Sequence, residues 1–574
     1  MPDARSVLAE RLQSAFDTLE PGADPVLRAS DRADFQANGA LPLGKRLGLD
    51  PRKVADVVVA AAELSDICEV VETSGPGFVN LTLSTEFIAR QLAGVAADPR
   101  LGVERTAASE TVVVDYSAPN VAKEMHVGNL RSTIIGDALC RILGHLGHVV
   151  HRENHIGDWG TPFGMLIEHL VDVGEQEAAH ELSVGDLGWF YKQARTSFDD
   201  DETFRDRSRH RVVLLQSGDP ETMRLWRLLV AESVRYFDDV YAKLGVLLTD
   251  EDIVGESYYN PMLGDVVDDL QALGLLVEDD GARCVFPPGF SNREGQPLPL
   301  IVQKSDGGYG YAATDLAAIR DRVGRIGATR ILYVVGAPQA QHLQMCFAVA
   351  SMAGWLPEQA SAEHVAFGSV LGADRKMFKT REGDSVKLVE LLDEAVSRAS
   401  GALAEREAGM DQNERDQVAR ALGIGAVKYA DLSNDRMRDY VFDWDRMLAF
   451  EGNTGPYLQY AHARIRSIFR RAEVGEPDPS IPPTLTGPYD RALALQVLGF
   501  GEAVNSAAES CAPSKLCAYL FDLATSFTSF YENCPVLKAE DEEIRRSRLL
   551  LSGVSSRVLS TGLDLLGMEG PERM

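Results

Sequence analysis

Cysteine is scarce in this 574-residue sequence, and the seven that occur form no recognisable metal-binding motif. They are scattered through apolar surroundings, without two C-x-x-C pairs or a neighbouring histidine, so their spacing argues against a zinc site. Their odd number also argues against a disulfide framework. We therefore expect no structural metal, and buried free thiols at Cys68, Cys140, Cys284, Cys346, Cys511, Cys517 and Cys534.

Long apolar runs are also missing. No segment approaches the roughly 20 apolar residues that a membrane-spanning helix needs. The first residues, MPDARSVLAERLQSAFDTLE, form an amphipathic helical pattern of mixed charge, whereas a secretory signal has a basic start and an apolar stretch. The sequence therefore predicts a cytoplasmic protein without a membrane partner.

The sequence has no excess of positive charge. Its net charge is -29 and its isoelectric point is near 4.8, which taken alone argues against a nucleic-acid partner. An acidic surface of this kind can simply serve solubility. Binding to RNA would then depend on local basic patches, and two predicted helices carry them: Arg464, Arg466, Arg470 and Arg471 on one, and Arg545, Arg546 and Arg548 on the other.

The length suggests about three or four domains. Residues 1–105 mix helical patterns with a strand signal, GFVNLTL, and predict a small α+β domain. Residues 106–390 alternate strand and helix and predict an α/β domain, with a helical, acidic insertion at about 166–295. Residues 391–574 predict an α-helical bundle, interrupted by the proline-rich stretch EPDPSIPPTLTGP.

The α/β domain begins with the clearest structural pattern. TVVVDYSAPN is an apolar strand that ends in a loop, LRSTIIGDALCRILGHLG is helical, and HVVHRE is a second strand. Strand, helix and strand in this order predict a βαβ unit in a parallel, nucleotide-binding sheet. We expect the alternation to resume with LPLIVQ and RILYVV after the insertion.

Two loops in this domain carry candidate chemistry. In the first, His126 and Gly128 follow a strand, and we expect a helix to begin near Asn129, where backbone N–H groups can bind phosphate. In the second, KMFKTREG, Lys376 and Lys379 can neutralise a leaving pyrophosphate. Each signal alone is weak, because a histidine in a tight turn and lysines in a loop usually have no catalytic role.

Together the two loops resemble the HIGH and KMSKS signatures of class I aminoacyl-tRNA synthetases, in the right order and with an insertion between them. More particularly, the sequence is similar to the arginyl-tRNA synthetase family along nearly its whole length. The similarity is weakest in the insertion and in residues 1–70. It is carried by VVDYSAPNVAKEMHVG, HIGDWGTPFGML, FKTREGDSVKLVELLDEA, AVKYADLSNDR, FDWDRMLAFEGNTGPYLQYAHAR and LDLLGMEGPERM.

This resemblance implies a pocket for L-arginine. Asp115 and Asp315 correspond to acidic residues that contact the substrate guanidinium, and a carboxylate can bind that planar group through two hydrogen bonds. Tyr311 lies one helical turn before Asp315 and would line the same pocket. Asn120 and Gln339 would hold the α-amino and carboxylate groups.

It also implies a site for ATP, bound with Mg²⁺, formed by Lys123, His126, Gly128, Asn129, Lys376 and Lys379. Asn129 departs from the family pattern, because HIGH normally ends in a second histidine. An asparagine can still donate a hydrogen bond to a phosphate, but it supplies no positive charge.

The ends of the chain complete the resemblance. The N-terminal domain would touch the outer corner of an arginine tRNA, and the helical domain would bind its anticodon, with Arg464, Arg470, Tyr531 and Met574 as candidate contacts. Packing explains Tyr531 equally well. We expect a monomer that ligates arginine to tRNA through an arginyl-adenylate, with a pyrophosphate exchange that depends on tRNA. Two alternatives remain open: a class I synthetase for another amino acid, and an inactive tRNA-binding paralogue.

Overall fold

The structure is a computed structural model of the chain. It describes residues 4–175, 187–376, 378, 386–404, 410–539 and 541–574.

The N-terminal domain is built on a four-stranded antiparallel sheet in the order β1-β2-β4-β3. The strand predicted from GFVNLTL is confirmed as β4. The serine at position 84, which follows this strand, caps the next helix by accepting a hydrogen bond from the backbone N–H of Phe87. The elements are α1 Ala4–Asp17, β1 Leu27–Ala29, β2 Phe35–Ala37, α2 Ala40–Leu47, α3 Pro51–Ala61, β3 Cys68–Ser74, β4 Phe78–Leu83 and α4 Thr85–Ala97.

The catalytic sheet has four parallel strands in the order β11-β10-β5-β6. The strands are β5 Thr111–Asp115, β6 Val149–Glu153, β10 Arg330–Tyr333 and β11 Ser361–His364. Val112, Val113 and Val114 are fully buried, as expected for a parallel strand that is covered on both faces. The register places Asp115 beside both Glu153 and Tyr333, so these three side chains meet at the carboxyl edge of the sheet.

Helix α5, Val127–Leu146, connects β5 to β6 and confirms the predicted βαβ unit. The sequence predicted a start near Asn129. The helix instead begins at Val127, because His126 is the N-cap. The helix is buried along most of its length. Arg131 forms a buried ion pair with Asp431 of the helical domain, with 3.0 Å between Nε and Oδ2. This pair fixes the helix between the sheet and the C-terminal domain.

The insertion is mainly helical, as predicted. Its helices are α6 Pro162–Val173, α7 Leu187–Asp200, α8 Glu202–Ser217, α9 Pro220–Leu244, α10 Glu256–Tyr259 and α11 Leu263–Ala272.

The strand predicted from LPLIVQ is present and a helix follows it, but the strand lies outside the parallel sheet. LPLIVQ forms β9, Leu300–Gln303, but this strand pairs antiparallel with β8, Ala282–Val285, in a separate sheet completed by β7, Val277–Asp279. Strands β7 and β8 form a hairpin whose turn residues, Asp280 and Gly281, both have positive φ. An Asp-Gly pair favours this kind of turn.

The rest of the catalytic domain contains α12 Tyr311–Asp321, α13 Ala340–Met352 and β12 Val370–Leu371. The predicted C-terminal helical bundle is confirmed. Among the described residues of the bundle there is one short strand, β13 Tyr440–Val441, and it pairs with β12. Its helices are α14 Leu388–Ala404, α15 Gln412–Leu432, α16 Trp444–Met447, α17 Gly455–Ala472, α18 Pro488–Leu498, α19 Phe500–Glu509, α20 Pro513–Asn533 and α21 Glu542–Leu565.

Two further expectations concern the whole chain. All seven cysteines are buried free thiols, as predicted. Within the described ranges, no helix combines the length and the apolar character needed to cross a membrane.

Candidate active site

The loop between β5 and α5 is unusual in its backbone conformation. Ser117, Ala118 and Ala122 all have positive φ, at 72°, 45° and 58°, although none is glycine. Such conformations are costly and persist only where the surrounding structure holds them. Here the backbone N–H of Ser117 donates to Ser132 Oγ at 2.9 Å, and that of Ala122 donates to Ser233 Oγ at 2.9 Å. The loop is therefore fixed by side chains of α5 and of the insertion.

His126 and Gly128 form a compact start to helix α5. The Nδ1 atom of His126 accepts a hydrogen bond from the backbone N–H of Gly128 at 3.0 Å. A Cβ atom at position 128 would lie 2.7 Å from the His126 ring, so the position requires glycine. Burial, and to a lesser extent the ammonium group of Lys123, lower the pKa of His126. The imidazole is therefore neutral at pH 7 and carries its proton on Nε2, which becomes a hydrogen-bond donor.

Asn129 completes the cap of the same helix. Its side-chain Oδ1 accepts from the backbone N–H of His126 at 3.1 Å, which gives the reciprocal arrangement of a capping box. The oxygen of the Asn129 amide is thus engaged inside the protein. Its N–H₂ group provides two donors near the helix N-terminus.

Lys123 is exposed and lies against the insertion. Its ammonium group is 4.7 Å from the centre of the Tyr191 ring, which is a cation–π contact. Tyr191 belongs to helix α7, whose neighbouring residue Phe190 is fully buried. A residue of the insertion therefore contacts one of the predicted phosphate-binding side chains.

The segment after the lysine-containing loop is joined to the His126 loop through the backbone. Val127 N–H donates to Val386 O at 3.1 Å, and Leu388 N–H donates to Met125 O at 2.9 Å. Lys376 is exposed in a turn that Asp374 stabilises by accepting from its backbone N–H. Lys379 lies outside the described residues. The segment that follows the second motif is thus bound to the first motif.

Asp115 is placed deeper than the sequence suggested. It is 5% exposed, and its Oδ2 accepts a hydrogen bond from Arg322 Nη2 at 2.8 Å. Arg322 is fully buried and also donates from Nε to Glu153 at 2.5 Å. One oxygen of Asp115 is therefore already bound to a guanidinium group of the protein itself.

Asp315 lies nearer the surface, beside a cavity of about 370 Å³. Its Oδ2 is 2.6 Å from His342 Nε2, and its hydrogen bond with this side chain raises the pKa of His342. Tyr311, the first residue of the helix that carries Asp315, is 77% exposed and lines the cavity together with His342. Tyr311 and Asp315 thus lie on one helix, four residues apart, and a shared role in one pocket stays a prediction.

Glu256 is an acidic residue that the sequence analysis did not single out. Burial raises its pKa to about 7; His155 opposes the rise, whereas Asp158 and Asp315 add to it. The carboxyl groups of Glu256, Asp158 and Asp315 therefore lie within electrostatic range of one another. Glu256 follows Gly255 within the predicted insertion, where the sequence resemblance is weakest, and only its position after a glycine could have drawn attention to it.

Asn120 and Gln339 lie at the edge of the same sheet. Asn120 is bridged to Gly157 through the backbone, with Val121 N–H donating to Gly157 O at 3.0 Å. A Cβ atom at position 157 would lie 2.4 Å from Asn120 Oδ1, so Gly157 makes room for this side chain. Gln339 is exposed at the end of a 3₁₀ turn, Ala337–Gln339, that follows β10. Both amides remain available to a ligand.

The predicted tRNA contacts form two pairs in the helical domain. The guanidinium group of Arg464 lies 4.5 Å from the centre of the Tyr531 ring. Arg470 donates to the backbone oxygen of Glu572 at 2.7 Å, two residues before Met574. Met574 is half-buried against a small apolar cluster of the same domain. Arg470 and Met574 are therefore joined through the C-terminal segment, and Arg464 and Tyr531 through direct contact.

This arrangement is that of a class I aminoacyl-tRNA synthetase: a parallel sheet, a first crossover helix capped by an H-x-G loop, and, bound beside that cap, the segment that follows a lysine-containing sequence. Comparison with protein families agrees. The family model for the class I (R) tRNA synthetase catalytic domain matches residues 92–444. The models for the arginyl tRNA synthetase N-terminal domain and for the DALR anticodon binding domain match residues 3–83 and 458–574.

Complete proteins give the same result. The chain is 55% identical to the arginine–tRNA ligase of Thermobifida fusca, with 100% of each chain covered. Its structure is similar to that of arginyl-tRNA synthetase from Plasmodium falciparum, with a TM-score of 0.86, 31% identity and 100% of each chain covered. Similarity to the structure of arginyl-tRNA synthetase from Thermus thermophilus has a TM-score of 0.85 with 26% sequence identity, and covers 99% of this chain and 100% of that chain. The chain belongs to the arginyl-tRNA synthetase family.

Proposed function

We propose that this protein ligates L-arginine to tRNA in two steps that both take place at the carboxyl edge of the parallel sheet. One observation carries the proposal. A capped helix start with phosphate-binding donors lies at the same sheet edge as the acidic pocket around Asp315 and Glu256. The first is suited to ATP and the second to a guanidinium group.

In the first step, a carboxylate oxygen of arginine attacks the α-phosphorus of ATP. The bond between the α-phosphorus and the bridging oxygen breaks, and pyrophosphate leaves with the Mg²⁺ that accompanied ATP. Arginyl-adenylate remains in the site. The protein contributes orientation and charge stabilisation, without a covalent intermediate.

Asp315 and Glu256 bind the guanidinium group of the substrate in this proposal. Asp315 is partly exposed beside His342, which lines the cavity, and ionised Glu256 adds a second negative charge. Asp115 contributes through its second oxygen, since Oδ2 is held by Arg322. Tyr311 closes the side of the pocket, and the amide groups of the Asn120 and Gln339 side chains orient the reacting end of arginine.

The phosphates of ATP are bound by the start of α5 and by lysines. His126 donates from Nε2, because its Nδ1 already accepts from Gly128. Asn129 donates from its N–H₂ group, and Lys123, Lys376 and Lys379 balance the charge that develops as pyrophosphate leaves. These roles are proposed for each residue from its position and its family resemblance.

In the second step, the 2′-hydroxyl of the terminal tRNA ribose attacks the arginyl carbonyl carbon, and AMP leaves. We propose that the helical domain binds the anticodon through Arg464, Arg470, Tyr531 and Met574. We further propose that the domain boundaries lie at about residues 105 and 390 and that the insertion spans about 166–295. The separate sheet of the N-terminal domain supports the first boundary. We also propose a monomer that acts in the cytoplasm.

Exchange of labelled pyrophosphate into ATP, measured with each amino acid in turn, tests this function. We expect exchange with arginine alone, and only when tRNA is present, as the resemblance implies. Exchange with arginine in the absence of tRNA would contradict the expected dependence on tRNA, but the protein would still be assigned as a synthetase for arginine. Exchange with another amino acid would show that arginine is the wrong substrate. Binding of tRNA without any exchange would make the protein an inactive paralogue.

A further inference from the structure

Three side chains with metal-binding atoms converge beside the proposed arginine pocket. They are Asp315 on α12, and His342 and Cys346 on α13. One ligand atom from each lies within 4.8 Å of the other two. The sequence analysis did not detect this group, because Asp315 is far from the other two in sequence and they form no cysteine motif.

The geometry within the group suits a small, thiophilic cation. His342 and Cys346 are four residues apart and share one face of the helix, with 3.6 Å between Nε2 and Sγ. Usual Zn–N and Zn–S bond lengths imply a separation of about 3.5 Å for two ligands of one tetrahedral Zn²⁺. Asp315 Oδ2 is 2.6 Å from the same His342 nitrogen. The Asp315 oxygen and the His342 nitrogen would have to separate by about 0.7 Å to admit the ion.

Two of the three candidate ligands are partly exposed to solvent. Asp315 and His342 are partly exposed, and His342 borders the cavity of about 370 Å³. Cys346 is fully buried beneath them. An ion bound by these three ligands would have its fourth tetrahedral position left for water or a solute, as in accessible zinc sites.

We propose that Asp315, His342 and Cys346 form a binding site for a thiophilic divalent cation such as Zn²⁺, and that this cation and the arginine guanidinium exclude each other. The metal replaces the thiol proton of Cys346, which passes to solvent, and its positive charge at the Asp315 carboxylate repels the guanidinium cation. The mutual exclusion rests on the proposed function. Binding of the metal itself does not.

Cobalt provides a direct probe, because a Co²⁺–thiolate bond gives a charge-transfer absorption band. We expect the full-length protein to bind one Co²⁺ with such a band, and Zn²⁺ to displace it. Cys346→Ala should abolish the band and weaken Zn²⁺ binding by at least roughly 10–100-fold. Cys284→Ala is the matched control, since Cys284 is also buried but lies in a strand of the small antiparallel sheet.

Arginine then tests the second half of the proposal. Added L-arginine should remove the cobalt band, and Zn²⁺ should raise the KM for arginine in the wild-type enzyme but not in Cys346→Ala. A wild-type protein without the band, or a band that survives in Cys346→Ala, would overturn the metal site. A band that depends on Cys346 but is unaffected by arginine would overturn the exclusion, and with it the assignment of Asp315 to the guanidinium.

Discussion

The side-chain oxygen of Asn129 accepts a hydrogen bond from the backbone N–H of His126, across 3.1 Å. This contact makes Asn129 part of the helix cap at the position where the family pattern has a histidine. Because only the oxygen is used, the N–H₂ group can still donate to a phosphate.

We therefore expect Asn129→Ala to have two effects. Loss of the cap should lower the free energy of unfolding by about 1 kcal/mol. Loss of the donor should lower kcat by roughly 10²-fold. Asn129→Asp keeps the capping oxygen and should restore the melting temperature without restoring kcat. Thermal melts and steady-state kinetics on both variants measure this. An Ala variant that is destabilised but fully active would leave Asn129 as a cap alone.

Asp115 and Asp315 should respond differently to the same substitution. Asp315→Asn should raise the KM for arginine by roughly 10–100-fold, since a charge-assisted hydrogen bond to the substrate is lost. It should hardly change stability, because Asp315 is partly exposed. Asp115→Asn should lower the free energy of unfolding by about 3 kcal/mol, because it deprives buried Arg322 of one of its two carboxylates.

Denaturant titrations and arginine saturation curves on these two variants separate the roles. The KM for ATP serves as the internal control and should stay unchanged in Asp315→Asn. Should Asp315→Asn alter only the ATP constant, the guanidinium role of Asp315 would be wrong.

Glu256 should make arginine binding depend on pH. The pKa of Glu256 is raised to about 7. In the ligand-free protein the protonated carboxyl group therefore stabilises the fold at low pH, and this contribution is lost as the pH rises through 7. A bound guanidinium favours the ionised form, so arginine binding should strengthen over the same range. The rise in Tm on adding arginine should thus be larger at about pH 8 than at about pH 6. Measurements in buffer with a chelator and without ATP avoid metal effects.

Glu256→Gln is the control for this dependence. The variant should show a smaller arginine-induced shift that is nearly constant with pH. A wild-type shift that does not change between the two pH values would place Glu256 outside the pocket.

The contact between Lys123 and Tyr191 suggests that the insertion helps to position Lys123 for ATP binding. If the ring holds the ammonium group ready for ATP, Tyr191→Leu should raise the KM for ATP by about two- to fivefold, the value of one exposed cation–π contact. Tyr191→Phe retains the ring and should behave as wild type. Combining Tyr191→Leu with Lys123→Met should add nothing to the effect of Lys123→Met alone. Fully additive effects would reduce Tyr191 to a packing residue.

Binding of tRNA should weaken steeply with salt despite the net charge of -29, because phosphate contacts release counterions. Arg464→Glu should weaken tRNA binding and leave ATP binding unchanged, since it reverses a charge beside Tyr531. Arg209→Glu, an exposed position in the insertion, is a matched charge reversal and should have little effect. Affinity that is independent of salt would mean that the basic positions are ordinary surface.

Much of this protein could be predicted from local sequence patterns. The apolar strand before Asp115, the helix after His126 and the amphipathic helices of the bundle are properties of neighbouring residues, and periodicity reveals them directly. The need for glycine at position 128 is equally local, since the ring that excludes a Cβ atom belongs to His126.

The tertiary structure alone decided which charges meet. Asp115 is bound to Arg322, 207 residues later, and Asp315 is bound to His342 on the next helix. Glu256 reaches the same region from the end of the insertion. No periodicity relates such positions, because packing of separate elements determines both their contacts and their burial. Burial in turn determines whether a carboxylate supports the fold, as Asp115 does, or remains open to a substrate, as Asp315 does.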